Sequence, residues 1–478
     1  MRIPEWITFS ISWMILSTLL CAQDDDPIVP PLPIPNLSET APIDEVPPEA
    51  IPAETTPAPA APATDEDAPP PVTPEQAEPQ ERLNLTDYEF KTPTISEALE
   101  QETKYPTLHW SGFLQLDSGW VVADEETIDI VGDISSQFGL RRVRLRAGGR
   151  VRENASYVVD LDFAASGHPS FRDVALIFSD VPVIQNIEAG YFKQPYGMDA
   201  ESSGRELLLL ERMSPFALTP FRQTGVRAFG TFPHKSGTYA FSAYRFPTNA
   251  FGVSSGNNGG WGLATRETLL VVDLEDFLIH LGGGYTLINP STDELQFSYE
   301  PGFFIGDPAS PDSDSVPQFV NTGEIPTHTA NYFNTELAFQ WKCFRTQAEY
   351  RWTIVDRIGD SSVQFHAGYV QAGLMLTGEH AIYNRSRGIF SGVLPKRDFG
   401  DDEEDGFGAI ELTGGLSHID LNSKDIMGGS MTNFVAGLNW YLNDHARVVV
   451  NVIPVNLNND GIEDARSLFF ATRLQFEF

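Results

Sequence analysis

Three arginines, Arg142, Arg144 and Arg146, alternate with Val143, Leu145 and Ala147. An extended chain points successive side chains to opposite faces, so the three guanidiniums share one face. Such a row attracts anions, and each planar guanidinium can hold two oxygens of a phosphate or carboxylate at once. Asp160 and Asp162 follow with the same parity, beyond a turn signal at Glu153 to Ala155. Across that turn Arg146 should lie opposite or diagonal to one of them. Two readings therefore stand together: an anion-attracting row, or a cross-strand charge ladder that holds a wall.

A second charged set lies between Pro195 and Gln223, where Arg205, Arg212 and Arg222 mix with Glu201, Glu206 and Glu211. Mixed charge produces a transverse field that can orient polar solutes, but it does not make a purely cationic throat. Gly252 to Gly256 matches the G-x-S-x-G pattern, yet Asn257, Asn258, Gly259 and Gly260 follow where a nucleophile elbow needs a helix. Asn456 to Gly461 resembles the start of a calcium loop, but Ser467 stands where the closing glutamate belongs. The acidic run Asp401 to Asp405 is at most a loose cation site, and the 9 histidines show no metal-ligand spacing. No catalytic constellation emerges; the expectation is no enzyme, no cofactor and no metal.

The elements that must position the arginines are strands. From Thr107 onward, alternating segments are separated by Gly, Asn, Asp and Pro clusters. In the last one, Leu468, Phe470, Thr472, Leu474, Phe476 and Phe478 fall on one face, and Phe469, Ala471, Arg473, Gln475 and Glu477 on the other. One face suits lipid and the other a wet lumen. Phe333 to Trp341 repeats the pattern. So does the next segment, where Arg345, Gln347, Glu349 and Arg351 alternate with Thr346, Ala348, Tyr350 and Trp352, and so does Phe434 to Leu442. A soluble sandwich could show the same alternation, but the connections argue against one. They are short at Glu153 to Ala155, Lys235 to Gly237, Lys342 to Phe344 and Asn443 to His445. They are long at Ala123 to Gln137, Pro195 to Gln223, Thr248 to Gly262, Asn289 to Thr327 and Asn456 to Arg466. Short turns on one rim and long loops on the other are the asymmetry of outer-membrane barrels. The reading is an all-β, transmembrane antiparallel β-barrel of about 16 strands over residues 107–478. Strand limits within 263–285 and 382–405 do not emerge from the pattern.

Ahead of the barrel, residues 1–22 read as a signal peptide: Arg2, an apolar run from Trp6 to Leu20, and small Ala22 as a cleavage point. Bulky Leu20 before Cys21 argues against a lipoprotein. Residues 23–106 form a periplasmic linker rich in Pro, Ala and acidic residues. Its Pro-rich part, residues 24–81, cannot bury enough apolar area to offset its ordering entropy and is expected to be disordered. It is either a solvated tether or an arm that binds cell wall. The chain's formal net charge is −35, which excludes nucleic acid as a partner, because phosphate binding needs clustered Lys and Arg.

Several segments resemble the phosphate-selective porin O/P family: FGLRRVRLRAGGRV (138–151), YVVDLDFA (157–164), RDVALIF (172–178), GYFKQPYGMD (190–199), LERMSPFAL (210–218) and FRQTGVRAFG (221–230). NTELAFQW, RTQAEYRW, LTGEHAIY (376–383), GAIELTGGLSHIDL (408–421) and NFVAGLNWYLN (433–443) are similar to its later strands. The resemblance implies a 16-stranded barrel in the bacterial outer membrane, a homotrimer embedded in lipid. It implies passive diffusion of small hydrophilic solutes, inorganic phosphate and other anions among them, past a constriction formed by the loop 195–223. Candidate pore-lining residues are Arg142, Arg144, Arg146, Asp160, Asp162, Arg205, Arg212, Arg222, Arg345 and Arg351. The lysine-rich loop of a dedicated phosphate channel is missing. The competing reading is a structural or adhesive envelope protein, with the barrel as anchor and the Pro-rich arm as the binding element.

Overall fold

The computed structural model describes residues 105–164, 169–256, 259–303, 316–400, 406–459 and 461–478. The expected signal peptide, almost all of the expected linker and the acidic run 401–405 lie outside the described residues. Sixteen strands form the wall. They are β1 (His109–Ala123), β2 (Gln137–Arg152), β3 (Ala155–Asp162), β4 (Ser170–Val181), β5 (Gln185–Lys193), β6 (Arg222–Thr231), β7 (Gly237–Arg245) and β8 (Trp261–Asp273). After them come β9 (Phe277–Asn289), β10 (Ile325–Trp341), β11 (Phe344–Arg357), β12 (Val363–Met375), β13 (Ala409–Ser423), β14 (Ile426–Tyr441), β15 (Ala446–Asn459) and β16 (Ile462–Glu477). Each pairs antiparallel with its neighbour in sequence, and β16 returns to β1, from Phe113 opposite Glu477 to Ala123 opposite Ser467. Gly112 and Phe478 exchange two further backbone bonds, of 2.8 and 3.0 Å. A closed barrel leaves no unpaired edge, which is what a sheet crossing lipid requires.

The period of two sorts the side chains as the sequence suggests. Phe470, Leu474, Phe476 and Phe478 are exposed on the outer face, while Arg473 and Gln475 are buried inside. No helix among the described residues is long and apolar enough to cross a membrane. The ill-defined stretch 263–285 is the hairpin of β8 and β9, joined by a tight turn.

The two rims differ in two respects from the sequence reading. Residues Asn456 to Arg466, expected to be a long loop, are mostly strand: β15 and β16 pair out to Asn459 and Ile462. On the opposite rim, where other connections are tight turns, residues 376–408 form a long insertion. It carries an antiparallel hairpin, Ala381–Asn384 with Ile389–Val393.

The lumen is also drier than expected. Phe297, Tyr299, Phe303 and Phe319, from the connection between β9 and β10, turn inward and pack with Phe365, Ile419, Met431 and Phe469 of the wall. Phe297 meets Phe365 at 5.4 Å between centroids, and Phe319 meets Phe469 at 6.0 Å. Burying each such side chain is worth about 1.5–3 kcal/mol. The inward face of β10 to β16 is thus apolar near the long-loop rim, because a loop covers it there.

Candidate functional site

The loop 194–221, between β5 and β6, crosses the lumen. Its short helix α1 (Met198–Glu201) is followed by the apolar run Leu207 to Leu210 and a 3₁₀ turn at Ser214–Leu218. Backbone groups of this crossing find partners on the far wall. Leu210 N–H donates to Asn451 Oδ1 at 2.8 Å, Asn439 Nδ2 donates to the Leu208 carbonyl at 2.9 Å, and Arg473 Nη1 donates to the Leu210 carbonyl at 2.5 Å. A loop buried in this way must satisfy its backbone polar groups, and the wall supplies the complementary ones. Asp199 N–H donates to Glu349 Oε1 at 2.5 Å. A Cβ on Gly197 would stand 2.5 Å from Glu349 Oε2, so a larger residue here would have to displace that carboxylate or the loop. Leu209 and Met213 pack against Tyr369. Across from them, a Cβ on Gly415 would stand 2.8 Å from Leu209.

The candidate arginines divide into two groups. In the first, the side chains are committed to ties between the loop and the wall, within the loop, or between wall strands. Arg142 holds Glu211 at 2.7 Å and donates to Gln115 Oε1 at 2.7 Å. Arg212 donates to the Asp199 carbonyl at 2.9 Å and to the Ser202 carbonyl at 2.5 Å, with the Phe216 ring 5.0 Å away. Arg345 pairs with Glu411 through two bonds of 2.8 and 3.0 Å. Arg351, fully buried, bonds Glu349 at 2.7 Å and the Pro215 carbonyl at 2.9 Å, and also reaches Thr219 Oγ1.

In the second group, the side chains gather on the β2–β6 side. Arg144 stands opposite Asp162 and Arg146 opposite Asp160 in the β2–β3 register. Asp162 is shared, 3.2 Å from Arg144 and 3.1 Å from Arg172. Arg222 pairs with Asp173 at 3.0 Å and lies over the Phe221 ring at 4.6 Å. Arg205 meets Glu477 at 3.2 Å. A small cavity of about 50 Å³ is bordered by Arg144, Arg146, Lys193, Arg205, Arg222 and Arg387, together with Asp160 and Asp173. A larger cavity of about 320 Å³ reaches the long-loop side and shares Arg222 with it. A third, of about 440 Å³, opens among the tight turns and shares Arg387. Among the described residues, no cluster of three or more His, Cys, Asp or Glu groups could hold a metal ion.

Several members escaped the sequence reading. Asp173 and Arg227 had a usable signal, since both sit in alternating strands with inward parity; Arg227 pairs with Glu188 at 2.5 Å. Lys193 ends β5 and donates to the carbonyls of Glu201 and Ser202 at 2.9 and 2.7 Å. Arg387 had none, because it belongs to an insertion whose path into the lumen leaves no periodic trace.

A closed sixteen-stranded barrel, apolar outside and crossed inside by a charged loop, defines an outer-membrane barrel of the porin class. The chain belongs to the family of phosphate-selective porins O and P, whose model matches residues 120–478. An uncharacterized protein of Caulobacter vibrioides is 28% identical over 134 residues, which is 28% of this chain and 26% of that protein. The match thus spans about a quarter of that relative's length. Among solved structures, the trimer form of OmpT, an outer membrane protein of Vibrio cholerae, aligns over 78% of this chain and 99% of its own with a TM-score of 0.47 and 12% identity. An anion-selective porin from Comamonas acidovorans aligns over 78% and 99% with a TM-score of 0.45 and 10% identity. The outer membrane channel DcaP of Acinetobacter baumannii aligns over 78% and 97% with a TM-score of 0.44 and 12% identity.

Proposed function

We propose that this chain is a passive diffusion channel whose solute path follows the β2–β7 side of the lumen and favours small anions, inorganic phosphate among them. One observation carries this reading: three cavities adjoin, sharing Arg222 and Arg387 as lining residues, and the smallest of them is bordered by six basic side chains against two carboxylates. In a narrow, poorly solvated passage an excess of one sign focuses the field and raises the local concentration of the opposite ion. The nearby partners Asp162, Glu201 and Glu477 reduce that excess. The result is a preference rather than an absolute filter. Of the ten candidates, Arg144, Arg146, Asp160, Arg205 and Arg222 line this path. Asp162 holds Arg144 in place. Arg142, Arg212 and Arg351 act indirectly by fixing the loop, and Arg345 by tying β11 to β13.

The rims support an orientation. Thr107 N–H donates to the Arg150 carbonyl at 2.9 Å, beside the tight turn between β2 and β3, so the chain enters the barrel on the tight-turn rim. That rim is periplasmic in outer-membrane barrels. This supports a periplasmic linker at 23–106, with 24–81 as a tether or a cell-wall contact, and export to that membrane accords with a signal peptide at 1–22. Family membership supports a homotrimer.

Planar-bilayer recordings of the purified protein in a salt gradient test the proposal. Ohmic channels with an anion-selective reversal potential are expected, and a cation-selective potential would end the anion reading. The inward-packed loop between β9 and β10 favours one alternative, a barrel that only anchors the arm. That alternative takes over if correctly folded insertions carry no current.

A further inference from the structure

The insertion 376–408 places a hairpin in the lumen from the tight-turn side. Its fixed face is sealed: Ala381, Tyr383, Ile389 and Phe390 pack with Met198, Leu270, Leu278 and Ala338. The Tyr383 hydroxyl and His280 Nδ1 are 2.6 Å apart. Arg266 donates to the carbonyls of Arg387 and Gly388, both at 2.8 Å. With its backbone held there, the tip sends the Arg387 side chain to the crossing loop. Arg387 Nη2 donates to the Glu201 carbonyl at 2.8 Å and to Glu201 Oε2 at 3.3 Å. Arg227 approaches the other Glu201 oxygen at 3.4 Å. Arg387 borders both the cavity of about 50 Å³ and the tight-turn cavity.

We infer that Arg387 is a selectivity-determining residue at the junction of these two chambers, held there by Glu201. The inference rests on the channel reading above. Arg227 and Arg387 both reach the Glu201 carboxylate, Lys193 donates to the Glu201 backbone carbonyl, and Glu188 pairs with Arg227, so three basic side chains face two carboxylates at the junction. A permeating anion passes from the arginines of β2 and β6 to the tight-turn chamber beside Arg387. The hairpin therefore sets the charge at the junction as well as filling space.

The test uses the full chain in planar bilayers, reading the anion-to-cation permeability ratio from the reversal potential in a potassium chloride gradient. Arg387→Gln should lower the ratio by roughly twofold or more, since one of the few charges at a constriction is lost. Arg387→Lys should retain it, and Glu201→Gln should raise it. An unchanged ratio in Arg387→Gln, alongside a lowered one in Arg146→Gln, would overturn the inference while leaving the channel reading intact. A wild type that prefers cations would overturn both. If Arg387→Gln does not assemble, Glu201→Gln decides: a raised ratio supports the junction, and an unchanged or lowered one overturns it.

Discussion

Arg473 shows how charge is spent in this lumen. It pairs with Asp117 and with Glu211, each at 2.7 Å, and none of the three is open to solvent. Removing the cation leaves the buried Asp117 carboxylate uncompensated, while Glu211 keeps Arg141 and Arg142; breaking a buried pair in this way typically costs about 3–5 kcal/mol. Arg473→Met should therefore lower the temperature at which the folded barrel loses its compact gel mobility. The exposed pair Arg385–Asp273, at 2.6 Å, is worth far less, within about 1 kcal/mol, because solvent screens it. Asp273→Asn should leave that temperature nearly unchanged. The same distinction separates the candidate arginines. Arg351 and Arg345 are structural ties whose loss should show first as instability. Arg146 borders the narrow cavity, and its loss should show first in the reversal potential.

At the scale of elements, the long-loop rim is held by local contacts as well as by strand pairing. Asp124 caps the helix α2 (Glu125–Val131), accepting from Thr127 N–H at 2.8 Å, and it also accepts from Arg466 N–H at 2.7 Å on β16. Its slight burial pushes the carboxyl pKa up, but hydrogen bonds from Thr127 and Arg466 outweigh this and leave it below the ordinary value. A lowered folded-state value stabilises the cap above the ordinary carboxylate range of about 3.9. That contribution is lost as pH falls through the lowered value. Amide exchange in α2 should accelerate on acidification below about pH 4, and Asp124→Ala should show the fast exchange already at neutral pH. The crossing loop depends on close approach. Gly197→Val should push α1 away from Glu349 and Arg351 and alter conductance without disturbing the closure of the wall. Excising the hairpin tip and its strands, 381–393, should raise conductance by roughly twofold or more, because it removes a lumenal obstruction. An unchanged conductance would show that the hairpin lies off the path.

For the whole molecule, the alternation of side chains, the aromatic last strand and the rim asymmetry sufficed to read a barrel of about sixteen strands from sequence. A period of two is a local property, written into consecutive residues. The shared parity of Arg142, Arg144 and Arg146, and the position of Arg146 across from an aspartate of β3, were legible for the same reason, since a tight hairpin sets the register of its own strands. Three things were decided only by the tertiary structure. The loop between β9 and β10 turns inward and makes part of the lumen apolar, Arg142 is committed to Glu211, and the insertion at 376–408 brings Arg387 to Glu201. Each depends on contacts between residues far apart in sequence, Glu201 and Arg387 being separated by 186 positions. No local spacing encodes them. The chain by itself determined the wall and the faces of its strands. Only the closed barrel, by bringing loops from both rims into one confined space, decided which charges face the path and which are tied down.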